Sequence, residues 1–162
     1  MASPPRSKVG GYVDVKTLPR GPNGRVLCRW CTNEVPQGRR TFCGQPCIDE
    51  WTIRTNPGVA ARKVEERDKG VCAICKLDTA ALKREFRALP HGYANRMGWL
   101  RERGLPQALI SRRRWFDVDH IVPVIEGGGS CGLENLRTLC LTCHRVVTAA
   151  LAARRAQARR AG

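Results

Sequence analysis

The sequence predicts a small α+β fold, and three observations carry that expectation. Eight of the nine cysteines fall into four close pairs, Cys28/Cys31, Cys43/Cys47, Cys72/Cys75 and Cys140/Cys143, with Cys131 left over. A β-branched run surrounds Asp119 and His120, with apolar residues on either side of the polar centre. Helical periods fill much of the remainder. With 162 residues, of which 6% are aromatic and 27% charged, the chain has little apolar surface to bury. The paired cysteines are expected to make good the shortfall.

Disulfides are one use for such pairs. The opening MASPPRSKVGG is polar and proline-rich and lacks an apolar signal segment, so a reducing compartment and thiolate-bound zinc are expected instead. No run approaches the length of a membrane span. The expectation is a soluble intracellular protein, of the cytoplasm or nucleoid or of a eukaryotic nucleus, with no membrane partner. The formal net charge of +15 is far from the balance usual in enzymes of small metabolites and points to a polyanion, DNA first. The charge is also uneven. Nine basic residues against Glu85 and Glu102 lie between Lys83 and Phe116, and from Arg145 onward there are five arginines and no acid.

Residues 1–26, rich in proline and glycine and without apolar period, read as a flexible basic arm. Residues 27–58 follow as a four-cysteine zinc finger, Cys28-x2-Cys31-x11-Cys43-x3-Cys47. Four soft thiolates close a tetrahedral site, so this zinc should be structural. Val35 to Gly38 supplies the turn between the pairs, and a short helix is expected to begin at Cys47 and carry Ile48, Trp51 and Ile53. Asn56-Pro57-Gly58 breaks it and opens the next helix, which Gly70 ends.

Residues 59–162 form the remaining domain. Cys72/Cys75 has no partner pair before Cys140/Cys143, so a second structural zinc is expected to join two points more than sixty residues apart. Between the knuckles, residues 76–114 read as a helical insertion with Leu82, Phe86 and Leu89 at helical spacing. His91 lies in a Pro-His-Gly turn and reads as a turn residue. Arg112, Arg113 and Arg114 precede the Asp119-His120 segment as a phosphate clamp.

Phe116–Val118 and Ile121–Ile125 read as two short strands flanking the polar centre. Asp119 and His120, being adjacent, can reach one site only if the strand ends or bends there. Gly127 to Gly129 make a close-approach loop. A final basic helix is expected from about Leu141, with Cys140, Cys143 and His144 on one face. Asp119 and His144 are an oxygen and a nitrogen donor of the kind that hold a divalent metal with open positions. Each residue also has a plainer reading. The Asp-His pair suits a hydrogen-bonded turn, Asn135 a local cap, and His144 a further zinc ligand.

Taken together, Asp119-His120, fourteen residues, Asn135, eight residues, His144 resembles the HNH endonuclease motif of the ββα-metal class. The bracketing Cys72/Cys75 and Cys140/Cys143 resemble its four-cysteine zinc variant. FCGQPC, RTNPG, GVCAIC, VDHIVPV, GGGSC, NLRTLC and CH are similar to the HNH module of vertebrate fork-remodelling translocases with Ran-binding zinc fingers. The resemblance implies that Asp119 and His144 are ligands of the catalytic metal, that His120 is the general base, and that Asn135 ties down the loop and so orients His120. Mg²⁺ or Mn²⁺ is the implied catalytic cation, with Zn²⁺ or Ni²⁺ tolerated by the imidazole. DNA contacts are expected from Arg112, Arg113, Arg114, Arg137, Arg145, Arg154 and Arg155.

The implied activity is metal-dependent nicking of DNA, one strand per centre. A double-strand break then needs a homodimer, successive nicks or a separate DNA-processing partner. No Gly-x4-Gly-Lys-Ser/Thr loop is present, so cleavage is expected to need no ATP unless a partner supplies it. The alternative is a zinc-finger DNA-binding or adaptor protein whose HNH-like centre is inactive.

Overall fold

The computed structural model describes residues 13–161. Residues 1–12 of the arm expected over residues 1–26 therefore lie outside the described residues. From Val15 onward the chain is docked. Val15 and Leu18 pack against buried Val26, Cys28 and Val35, and bridges pair Arg20 with Val26 and Leu27 with Glu34. The four-cysteine module thus recruits its own small apolar core from residues assigned to the arm.

Helix α1 runs Gln45–Thr55, two residues ahead of the expected start, because Pro46 suits the first turn, where a missing N–H costs nothing. It buries Trp51 and Ile53. Asn56 ends α1 and caps α2, Pro57–Asp68: its backbone is extended, and its Oδ1 accepts from the Gly58 and Val59 N–H groups at 3.0 and 3.2 Å. Such a cap contributes about 1 kcal/mol. Ile53, Ala60 and Val64 meet Leu136 in one cluster, so the elbow between α1 and α2 joins the cysteine module to the rest of the fold. Lys69 and Gly70, both left-handed, then turn the chain into the Cys72 knuckle.

The insertion folds as α3, Thr79–Ala88, capped by Asp78, and α4, Tyr93–Glu102, followed by a 3-10 turn over Gln107–Ser111. It contributes buried Phe86, Leu100 and Leu109, which surround Trp115 and Leu141. Phe86, Trp99 and Trp115 stack obliquely with centroids 5.0 to 6.3 Å apart. The segment between the knuckles is therefore a core-building element.

Strand β1, Phe116–His120, pairs antiparallel with β2, Leu136–Cys140, in the register Phe116↔Cys140 to His120↔Leu136. This corrects the expected second strand. Ile121–Ile125 is an exposed loop ending in a 3-10 turn, and Leu136–Cys140 is the strand. The reason lies in Pro123, which offers no ladder N–H, and in Asn135, whose side chain takes both backbone groups of Val122. Helix α5, Leu141–Ala161, leaves β2 directly and crosses the hairpin. Cys140 is accordingly the last residue of β2 and does not share a helix with Cys143 and His144. Among the described residues no helix is long and apolar enough to cross a membrane.

Candidate active site

Two sets of four sulfurs assemble, each with all ligand atoms within 4.8 Å of one another: Cys28, Cys31, Cys43 and Cys47, and Cys72, Cys75, Cys140 and Cys143. All nine cysteines are free. The Cys31–Cys43 and Cys75–Cys140 sulfurs are 3.5 and 3.6 Å apart, close to the roughly 3.8 Å edge of a tetrahedron built on zinc–sulfur bonds of about 2.3 Å. Charge supports the same use. Burial raises the Cys72 thiol, but the N–H groups of Cys140, Cys75 and Ile74 outweigh it and lower it to about 6. Cys28 is lowered to about 7 by the same opposition of burial and backbone N–H groups. Burial and their sulfur neighbours push Cys43 and Cys143 up to about 12. Four crowded sulfurs cannot all ionise unless a cation sits between them. Both sets therefore fit a thiolate-bound metal.

The second set spans the fold from the start of the insertion to the start of α5, so it fixes where α5 begins relative to β1. Along β1 alternate residues share a face. Phe116 and Val118 point into the cores beneath, Val118 against the α2 cluster. Asp117 and Asp119 take the other side, where α5 lies: His144 Nδ1 is 2.9 Å from Asp117 Oδ2. Asp119 Oδ2 accepts from Arg137 Nε and Nη2 at 3.1 and 2.9 Å, across the β1/β2 pair. Arg137, expected on DNA, is thus the counter-ion of Asp119 in this structure.

Strand β1 ends at His120, and the chain bends there. The Ile121 N–H donates to the Asn135 carbonyl at 2.9 Å, the Val122 N–H donates to Asn135 Oδ1 at 2.7 Å, and Asn135 Nδ2 donates to the Val122 and Gly128 carbonyls. Gly128 is buried in this knot, and any Cβ there would collide with the Val122 carbonyl. The bend lets Asp119 and His120 border one groove of about 550 Å³, closed on its far side by Val147, Leu151 and Arg154 of α5. Arg154 reaches Glu126 across it at 3.5 Å.

Asp119 and His144 offer a carboxylate and an imidazole, the donor types that suit an open divalent site. Among the described residues no third His, Cys or carboxylate completes a cage with them. Asp117 escaped the sequence reading, although Asp117-Val118-Asp119 carries the alternation that puts two carboxylates on one strand face. Arg112 engages Asp117, and Arg114 engages Glu65 at 2.8 Å. Arg145 and Arg155 are exposed on α5, and His91 is exposed in its turn.

A two-stranded hairpin, a knotted loop and a crossing helix bracketed by cysteines match known proteins. The profile of the HNH endonuclease family matches residues 109–149. The crystal structure of the human ZRANB3 HNH domain superposes with a TM-score of 0.52 at 35% identity, covering 65% of this chain and 97% of that one.

The chain belongs to the HNH endonuclease family.

The curated proteins similar to this HNH chain include the DNA annealing helicase and endonuclease ZRANB3 of Mus musculus, 34% identical over 154 residues, and of Bos taurus, 36% identical over the same length. The human form is 33% identical. Each match covers 85% of this chain and 14% of the relative, so this HNH chain aligns with a small part of those proteins.

Proposed function

We propose that this chain is a divalent-metal-dependent DNA endonuclease that nicks one strand per active site. The observation that carries the reading is the bend after β1, where Asp119 and His120 border one groove while His144 reaches the same strand face from α5. In this reading Asp119 and His144 would hold the catalytic cation. When bound, Mg²⁺ or Mn²⁺ supplies Lewis-acid stabilisation of the charge that develops on the scissile phosphate and leaving oxygen. His120 accepts a proton from the attacking water, work suited to an imidazole at neutral pH. Asn135 holds the 121–128 loop against β2 and so fixes the direction His120 faces. Asp117 accepts from His144 Nδ1 and leaves Nε2 for the metal, the arrangement by which carboxylates orient ligating imidazoles.

The two cysteine sets would each take one structural Zn²⁺. Residues 27–58 would be the four-cysteine module and 59–162 the nuclease domain, and the Arg112–Arg114, Arg137, Arg145, Arg154 and Arg155 side chains are proposed to meet DNA. One observation favours a second reading, an inactive DNA-binding adaptor: Arg137 already neutralises Asp119. Supercoiled plasmid with Mg²⁺ or Mn²⁺ separates the two. Nicking that EDTA abolishes, and that His120→Ala slows by about 10²-fold or more, supports the nuclease. Nicking of equal rate in His120→Ala removes the assigned base.

A further inference from the structure

Apart from the groove at His120, a second concavity lies between α3 and the Arg113–Phe116 segment. It has a volume of about 240 Å³ and is lined by Lys83, Arg84 and Arg87 of α3 with Arg113 and Arg114 facing them. The only carboxylate in its wall is Glu65, which Arg114 already holds at 2.8 Å. Lys83, Arg84, Arg87 and Arg113 have no ion-pair partner among the described residues, and Lys83 instead donates to the Arg113 carbonyl. Burial, then neighbouring Arg87, lowers the Lys83 ammonium. Gathering like charges in a hollow is unfavourable until an anion enters it.

The hollow also leads somewhere. Arg113, Arg114 and Phe116 line a second, shallower depression that Arg112 and Asp117 close. The cations thus form a trough running from α3 to the carboxylate that holds His144. Its aromatic floor, Trp115 and Phe116, is buried and offers no face on which a base could stack. Its exposed groups are cationic donors suited to phosphate oxygens, not base-edge readers.

We propose that this trough is a binding site for the phosphodiester backbone of a nucleic-acid strand, which it leads to the active site without reading sequence. The inference rests on the nuclease reading for its direction, but not for its test. Binding of a fluorescent duplex in EDTA, where no cleavage occurs, is followed by anisotropy between about 50 and 200 mM salt. The probe variant is Arg84→Ala/Arg87→Ala, both exposed on the solvent side of α3. The control, of equal charge loss, is Arg159→Ala/Arg160→Ala at the end of α5. The expected result is a log–log salt slope shallower by about two for the α3 variant, at roughly 0.9 per phosphate contact, and an affinity loss at least tenfold larger than that of the control. Arg84→Glu, equally exposed and an equal change of charge, should weaken binding comparably with the melting temperature unchanged. An unaltered slope, a slope altered equally by the control, or no salt-dependent binding by the unmodified protein overturns the trough. A trough that binds in a protein that never nicks refutes the nuclease reading alone.

Discussion

The second cysteine set closes a far longer loop than the first, and its loss should be felt accordingly. Cys75 and Cys140 are 65 positions apart, whereas Cys31 and Cys43 are 12 apart. Treating each metal clip as a cross-link, the denatured chain loses about 4 kcal/mol of loop entropy to the long closure and about 3 kcal/mol to the short one. A chain of this size has a total stability of about 5–15 kcal/mol. Loss of the long clip should therefore lower the melting temperature by roughly 8–16 °C, taking about 2–4 °C per kcal/mol.

Cys75→Ser is the cleanest perturbation because Cys75 is exposed and its replacement opens no cavity. Calorimetry and metal analysis under reducing conditions, beside Cys31→Ser, provide the measurement. Cys75→Ser should lose one metal equivalent and melt below Cys31→Ser, with β2 and the start of α5 exchanging amide protons early. The reasoning fails if Cys31→Ser is the less stable of the two, or if Cys75→Ser keeps both metals and its melting temperature.

Three further outcomes follow from the site and its supports. Asp117→Asn should weaken Mn²⁺ binding, measured by calorimetry in the absence of DNA, by about 10–100-fold at unchanged melting temperature, because it loosens the His144 ring. Arg137→Gln should tighten Mn²⁺ binding by roughly fivefold, the worth of a partly buried ion pair of about 1 kcal/mol that the metal no longer displaces; unchanged affinity would mean that Asp119 is not a ligand. Asp68 accepts from Arg67 and from the Thr138 N–H of β2, and the Arg67 guanidinium first, then Thr138, holds its carboxyl below the usual range against burial. Its contribution is thus present above the unfolded carboxylate value of about 3.9 and lost as the pH falls through the lower folded value. Asp68→Asn should cost about 1–2 kcal/mol at neutral pH and flatten the acid limb of the melting temperature against pH.

Where local chemistry decides, the sequence is informative. Asn56 followed by Pro57 sets the α1–α2 elbow, the two sets of paired cysteines assemble, and the helix after Cys140 begins at Leu141, because caps, proline and thiolate spacing act over a few residues. The strands are harder. Ile121–Ile125 has the composition of a strand but a side chain thirteen positions away takes the backbone groups of Val122. Leu136–Cys140 carries Arg137 and Thr138 and looks less like a strand, yet it is buried between α2 and α5. Composition near a residue cannot report a partner brought in by topology. The same limit hides the pairing of Arg137 with Asp119 and the trough beside α3, since both are made by segments distant in sequence.

The β1/β2 register ties these parts together. Cys140 lies opposite Phe116, so a metal that fixes Cys140 against Cys72 and Cys75 also fixes which residues of β2 face which of β1. In that register Arg137 falls opposite Asp119, Leu139 packs towards Val147 of α5, and Asp117 reaches His144. A slip of one residue exchanges the faces: Asp117 and Asp119 would turn into the apolar cluster of Val64 and Leu136, and Val118 would meet the helix. A hairpin of two five-residue strands cannot hold its register by its own ladder. The burden falls on the thiolate clip at one end and on the Asn135 knot at the other. A metal held by the second cysteine set would therefore specify the candidate active site by alignment, although none of the four sulfurs belongs to the proposed catalytic set.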